Sequence, residues 1–345
     1  MRSSRPAFAL GAVIAVTLTL TACSAGAETP DSSAADEGTL TIYAGRNESL
    51  VGPLIEQFTE DTGIEVDVRY ATSPELNALL LEEGERTPAE VFLSQDAGAL
   101  GSIANAGLTS PIPAELADLI PAGFTSDDDS WIGVTGRARV IAYDGEHLTS
   151  ETVPDTIDAL TASEWSGRVA FAPGNASFQS FVTALRVLEG EDAAADWVEA
   201  IAANDPILTE NNLATLDLVN AGQADVGLIN HYYWFERAAE LGEENMRAQL
   251  EFLPGDPGGI VNVSGAAILK GAEGDADARA FVEYLVSEKA QQYFADELYE
   301  YPLLPGIDAP EGLPTLDSLV NPELDLADLE SLEQTQQLLA DAGLL

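Results

Sequence analysis

Short apolar runs alternate with helix-patterned stretches along nearly the whole chain, and this alternation limits the fold more than any other feature. Leu40–Ala44 reads as a buried strand, followed by a helix over 49–62. Residues 64–70 alternate in character, as a half-buried strand does. Ser73-Pro74-Glu75-Leu76 predicts a helix start with Ser73 as N-cap and Pro74 in the first position. Further strands are expected at 91–93, 140–143, 169–171, 226–230 and 261–269. Helices are expected over 97–106, 178–188, 192–203, 276–286 and 288–297. There are no internal repeats. Such a rhythm predicts an α/β chain with open, parallel-type sheets. Ligands of such sheets bind beyond the carboxyl ends of strands, where Asn47, Gln95, Asn175 and Tyr232 fall.

One of those strand ends is unusual. The apolar run Val226-Gly227-Leu228-Ile229-Asn230 leads through His231 into Tyr232 and Tyr233. Phenolate is a hard, anionic oxygen donor, and a trivalent cation can displace the phenol proton although free tyrosine ionises only near pH ~10. Among common metals Fe(III) suits hard oxygen donors best. The pair alone leaves open that both rings pack in the core or stack on a ligand.

The N-terminus carries an address. Arg2 and Arg5 precede an apolar stretch from Ala7 to Leu20, too short for a membrane span and laid out like a secretory signal. The sequence Leu20-Thr21-Ala22-Cys23 resembles a bacterial lipobox, which implies that residues 1–22 are removed and that Cys23 carries the lipid. Cys23 is the only cysteine, so no internal disulfide can form. Residues 23–38 are rich in Ala, Ser, Asp, Glu and Pro and read as a flexible tether. An extracytoplasmic protein anchored to the cell membrane is expected. Hydrophobic residues make up 46% of the chain, enough for a sizeable core, and its length suits two domains. A formal charge of −45 excludes nucleic acid as a partner and favours solubility without selecting any one cation.

Several segments, taken in order and spacing, resemble the ferric-iron-binding proteins of bacterial ABC transporters, also called bacterial transferrins. They are Ile42-Tyr43-Ala44-Gly45-Arg46, the run from Thr87 to Asp96, Gly136-Arg137-Ala138-Arg139-Val140, and Trp165-Ser166-Gly167-Arg168-Val169. Gly222-Gln223-Ala224-Asp225 leading into Asn230-His231-Tyr232-Tyr233-Trp234, then Val263-Ser264-Gly265-Ala266-Ala267 and Glu300-Tyr301-Pro302-Leu303, complete the set. The resemblance spans about residues 40–307. It implies a two-lobed periplasmic-binding-protein-like fold with crossing hinge strands near 136–139 and 262–264. Lobe 1 would comprise 39–136 with 263–308, and lobe 2 would comprise 137–262 with 309–345. It further implies a monomeric, non-enzymatic carrier that closes on its ligand and delivers Fe(III) to ABC permease subunits.

The resemblance makes Tyr232 and Tyr233 the metal ligands, and the remaining positions depart from the family. Where many members place a histidine, a glutamate and a third tyrosine, this chain has Asn47, Gln95 and Phe178. Neutral amides are poorer ligands for Fe(III), so Glu48 and Asp96 enter as candidate carboxylates beside Asn47 and Gln95. A synergistic anion, carbonate or phosphate, is implied at Asn175, Ala176, Ser177, Asn212 and Asn230. The start of the helix after Asn175 suits an anion, and Arg137 and Arg139 at the implied hinge could face it. His231 is expected to point away from a cleft-facing Tyr232, Trp234 to pack beside the helix after the pair, and His147 to be exposed. Two histidines and one cysteine leave no zinc cluster, and neither a Gly-x-Ser-x-Gly elbow nor a P-loop is present. The alternative retained is the same fold binding an organic solute such as a phosphonate, polyamine or thiamine. A secreted hydrolase lacks a visible nucleophile and base.

Overall fold

The computed structural model describes residues 38–319, 324 and 326–345, so the expectations for the leader 1–22, for Cys23 and for most of the tether lie outside the described residues. The strands are β1 (Leu40–Ala44), β2 (Val66–Tyr70), β3 (Val91–Ser94), β4 (Thr109–Ser110), β5 (Ile132–Asp144), β6 (Val169–Phe171), β7 (Ile207–Leu208), β8 (Val226–Asn230), β9 (Ala248–Phe252), β10 (Val261–Leu269) and β11 (Tyr301–Pro302). The helices that frame the site are α1 (Glu48–Thr62), α2 (Ser73–Glu83), α3 (Ala97–Asn105), α4 (Ala114–Ala117), α5 (Ala176–Glu189), α6 (Glu191–Ala203), α7 (Asn212–Asn220) and α8 (Tyr232–Leu241).

The strands run in the order β2-β1-β3-β10-β5-β8-β6-β7, and the sheet is mixed where the sequence predicted parallel strands. Pairing is parallel at the flanks, β1 with β2 and β3, and β6 with β7 and β8. In the centre β5 pairs antiparallel with β10, β8 and β9. The reason is the path of the chain, which crosses from one half to the other along β5 and returns along β10. Residues 132–138 of β5 pair with β10, and residues 139–143 pair with β8. All thirteen residues of β5 are buried, Arg137 and Arg139 included. The fold is therefore α/β, with two βα halves joined by crossing strands.

Local chemistry decides where the helices begin. α1 buries Leu50, Val51, Leu54, Ile55 and Phe58, the spacing of one helical face, and stops at Gly63 with φ 77°. α2 corrects the expected cap: Thr72, not Ser73, is the N-cap. Thr72 Oγ1 accepts from Glu75 N–H at 3.3 Å while the Glu75 carboxylate takes Thr72 N–H at 3.0 Å, a reciprocal capping box. Ser73 is thereby free to turn inward, where its Oγ accepts from Gln95 N–H at 2.8 Å and fixes the β3–α3 turn. Ser73 also presses against Gly45, where a Cβ would stand 2.1 Å from Ser73 Oγ, so only glycine fits before Arg46.

The C-terminal helix Leu332–Asp341 docks on α5. Arg186 Nη1 donates to Ser331 O at 3.0 Å and Thr335 Oγ1 at 2.9 Å, and Thr183 and Thr335 share a 2.7 Å hydroxyl contact. Among the described residues no helix is long and apolar enough to cross a membrane.

Candidate functional site

The tyrosine pair does not end a strand. β8 stops at Asn230, His231 already has helical φ and ψ, and Tyr232 and Tyr233 are the first two residues of α8. Strand alternation therefore does not orient them. Both rings are buried, 1% and 2% exposed, with centroids 4.3 Å apart. Gln95 Nε2 reaches across from the β3–α3 turn and donates to Tyr232 Oη at 3.3 Å. Burial pushes the Tyr233 phenol well above its ordinary pKa, and a charge on Tyr232 pushes the same way. Arg46 and Arg137 pull it down.

His231 faces backbone. Its Nε2 lies 2.8 Å from Tyr299 O. A carbonyl only accepts, so Nε2 carries the proton and Nδ1 accepts from Ala138 N–H at 3.2 Å. Burial keeps this ring neutral by lowering its pKa. Trp234 belongs to α8 itself and donates its indole N–H to Ala248 O at 2.6 Å, tying the helix to β9.

Three buried arginines surround the phenols, and their environments differ. Arg46, directly after β1, stands 5.8 Å from the Tyr232 ring centroid. It forms a buried two-point ion pair with Glu300, which Thr135 Oγ1 also contacts. Burial opposes the Arg46 charge, but Glu300 and the two phenols outweigh it and hold its pKa above the ordinary value. The preceding residue, Tyr299, adopts φ 55°, which a tyrosine rarely tolerates. That turn places the Tyr299 carbonyl on His231 and the Glu300 carboxylate on Arg46.

Arg137 and Arg139 have no carboxylate of this kind. Arg137 Nη2 donates to Val263 O at 3.3 Å, and Arg139 Nη1 donates to Ser177 Oγ at 2.9 Å while lying over the Phe178 and Phe181 rings. Arg137 Nε and Nη1, Arg139 Nη2, and the Nδ2 atoms of Asn230 and Asn262 are buried without a partner among the described residues. Burial, reinforced by the neighbouring Arg137, brings the Arg139 pKa down to about 9.

The expected anion loop is assembled but partly self-satisfied. Asn175 caps α5, and its Oδ1 accepts from Ser177 N–H at 3.0 Å, Ser177 Oγ at 2.8 Å and Asn212 Nδ2 at 3.0 Å. Ala176 is the first helical residue, buried beside this cluster. The structure thus brings Asn175, Ser177 and Asn212 together with Arg139, and Asn230 pairs with Arg139 across the β5–β8 ladder. The free donors are guanidinium and amide groups rather than the Ser177 backbone N–H.

The four candidates around the first loops fare differently. Gln95 meets Tyr232. Asn47 is the exposed N-cap of α1 and its side chain caps no N–H. Glu48 is exposed and shares a surface depression with Glu56 and Tyr70, where burial, then the two carboxylates, raise the Tyr70 pKa. Asp96 is buried and caps α3, with Oδ1 accepting from Ala99 N–H and Ser180 Oγ at 3.0 Å each. Burial raises its pKa. Elsewhere His147, exposed as expected, sits with Asp144 and Asp225, but Arg247 and Arg168 already pair those carboxylates, making an ion network.

Sequence reasoning assigned no role to Arg46, Glu300, Thr135 or Asn262. Arg46 had a signal: with 14 basic residues in the chain, an arginine at the end of an apolar strand is conspicuous. Glu300 opened the quoted segment Glu300-Tyr301-Pro302-Leu303, but as one acid among 59 nothing in its chemistry marked it as the partner of Arg46.

Two halves crossing at β5 and β10 thus bring phenols, guanidiniums and amides together at the strand ends. A family model described as bacterial extracellular solute-binding protein matches residues 86–320. The "Fe(3+)-binding periplasmic protein" of Serratia marcescens is 33% identical over 315 residues, covering 91% of this chain and 92% of that protein. The crystal structure of iron-bound HitA from Pseudomonas aeruginosa superposes with a TM-score of 0.84 at 32% identity, covering 88% of this chain and 99% of that one. A Trichodesmium protein solved with iron and citrate ligands, IdiA (FutA), gives 0.74 at 27% identity over 89% of this chain and 100% of that one. The chain belongs to the bacterial extracellular solute-binding proteins, in the family of periplasmic ferric-iron-binding proteins, and has their two-lobed fold.

Proposed function

We propose that this protein is an extracytoplasmic, lipid-anchored binding protein that captures Fe(III) with Tyr232 and Tyr233 and hands it to an ABC permease. The observation that carries the reading is the pair itself: two buried phenols at one helix start, under the field of Arg46 and Arg137. The names of the S. marcescens and P. aeruginosa relatives agree with it. Lobe 1 is 39–136 with 263–308 and lobe 2 is 137–262 with 309–345. The lobes close about β5 and β10 to bury the ion, acting as a monomer, with Cys23 carrying the lipid.

Two phenolates supply two negative charges to a trivalent ion. A synergistic anion adds more, held by the unpartnered guanidinium and amide donors of Arg137, Arg139, Asn230 and Asn262, with Asn175, Ala176, Ser177 and Asn212 forming its wall. Carbonate and phosphate both fit donors of this kind, and the Trichodesmium relative was solved with citrate. Gln95 orients Tyr232. The experiment is a titration of pure protein with ferric nitrilotriacetate under carbonate, phosphate or citrate, read by the visible phenolate-to-iron band. The band is expected with an affinity that depends on the anion. No band under any of the three, together with a thermal shift on adding an organic solute, would transfer the site to that solute.

A further inference from the structure

Helix α5 buries a polar face. Gln179, Ser180, Thr183 and Arg186 are spaced so that they share one side of the helix, and all four are buried. Polar groups buried in this way cost free energy unless they find partners. Here the partners come from two distant stretches of chain. Ser180 Oγ donates to Asp96 Oδ1 at 3.0 Å, reaching the β3–α3 turn of the other half. Residues beyond 330 meet the other three. Thr335 bonds Thr183 and Arg186, Ser331 accepts from Arg186, and Gln336 Nε2 donates to Gln179 Oε1 at 3.1 Å.

On its way to those bonds the chain passes over the first half. The short helical turn Leu326–Glu330 packs against both α3 and α5, with Leu326 and Leu329 buried. α3 follows β3 and α5 follows β6, so the turn lies across the seam between the two halves. Its approach to α3 depends on Gly98. A Cβ there would stand 2.7 Å from Leu329 O, closer than a side chain tolerates, and 3.0 Å from Asp96 Oδ1. Alanine is the better helix former, so a glycine in the first turn of α3 marks the place where the two backbones touch.

Resting on the lobe closure of the reading above, we infer that residues 326–341 form a strap across the seam, anchored to α5 of lobe 2 and pressed on α3 of lobe 1, which favours the closed form and tightens ferric binding. Opening about β5 and β10 separates α3 from α5, so the strap must leave one of them. Several hydrogen bonds hold it to α5 and packing at Gly98 holds it to α3, so α3 is the side that lets go. The same motion breaks the Asp96–Ser180 bond. Contacts made only in the closed form raise the share of closed protein, with or without metal.

The test compares the mature protein with two variants. Gly98→Ala pushes the strap off α3, and Thr335→Val keeps the shape at the α5 end but removes the hydroxyl. Neither residue is among the proposed iron or anion ligands. Small-angle scattering of the metal-free proteins reads the opening. Chelator competition at fixed carbonate, followed by the phenolate-to-iron band, reads ferric affinity. Both variants should scatter as more open than metal-free wild type and bind Fe(III) roughly fivefold more weakly or worse, the low end of coupling between distant sites, with the band where wild type has it. Thr335→Ser restores the hydroxyl and should recover wild-type behaviour. Circular dichroism checks folding, and should Gly98→Ala fail to fold, the Thr335 pair decides. If the folded variants match wild type in scattering and affinity, the strap is wrong. A lower melting temperature with both readouts unchanged also overturns it, because the segment is then core packing alone. A wild-type protein with no band removes the ferric reading instead, and metal-free scattering still decides the strap, so the two failures are distinct.

Discussion

Arg46 and Arg139 are both buried beside the same two phenols, and they stand at opposite ends of electrostatic satisfaction. Arg46 has a two-point carboxylate partner in Glu300, which together with the two phenols outweighs the cost of burial. Arg139 has a hydroxyl, two aromatic faces and a like-charged neighbour, and its pKa falls to about 9. The difference separates scaffold from receptor. A buried cation with its own anion has its burial cost offset within the fold, whereas one that lacks an anion carries that cost uncompensated. Under the proposed function, Arg46 fixes the electrostatics of the tyrosines, and the Arg137–Arg139 side is the one an anion would complete.

The largest expected effect tests the scaffold end. Glu300→Leu leaves Arg46 buried without a partner and should destabilise the apo protein by about 3–5 kcal/mol, the typical cost of breaking a buried ion pair from one side. Urea unfolding measures it, and a loss under about 1 kcal/mol would place Arg46 with the unsatisfied arginines. At the receptor end the sign differs. Arg139→Leu removes an uncompensated charge, so apo stability should change by less than about 1 kcal/mol or rise, while the dependence of iron affinity on added carbonate or phosphate weakens. A drop as large as that of Glu300→Leu would erase the contrast.

The pH dependence sharpens the same comparison. The Tyr233 phenol sits well above its ordinary pKa through burial, so the apo site holds that proton at neutral pH. Binding of Fe(III) by phenolates expels phenol protons, so affinity should fall as pH falls, by about a hundredfold per pH unit if two protons leave. His231 acts on stability in the same pH direction by another route. Its folded pKa is lowered, so below the unfolded value of ~6.5 the unfolded chain binds the proton first and apo stability declines. Competition titrations across pH with a chelator separate the two, because only the phenol effect requires iron.

The sequence made one part of this legible and hid another, for physical reasons. Local pattern is enough for elements that bury a periodic face, so α1 lies within one residue of its expected start, and β6 and β8 match their expected bounds. It failed where a short-range choice was settled by a hydrogen bond, as when Thr72 took the cap from Ser73, or where β8 gave way to a helix at the tyrosines. It failed wholly for Glu300, whose partner Arg46 lies 254 residues away and whose role follows only from the fold. β9 shows the same limit: its central half-buried run is recognisable only once β5 is there to pair with it. The tyrosine pair was visible because its chemistry is local, and the arginines around it were visible as residues but not as charges with or without partners.

The central claim is that both tyrosines bind Fe(III) as phenolates, and the most direct measurement is the visible spectrum of wild type, Tyr232→Phe and Tyr233→Phe during ferric titration at fixed anion. Each variant removes one hydroxyl and leaves the buried ring in place, so folding is preserved. The account predicts that wild type develops the phenolate-to-iron band and that each single variant loses it or shifts it strongly, with a large fall in affinity. Wild-type colour and affinity in both phenylalanine variants would contradict it.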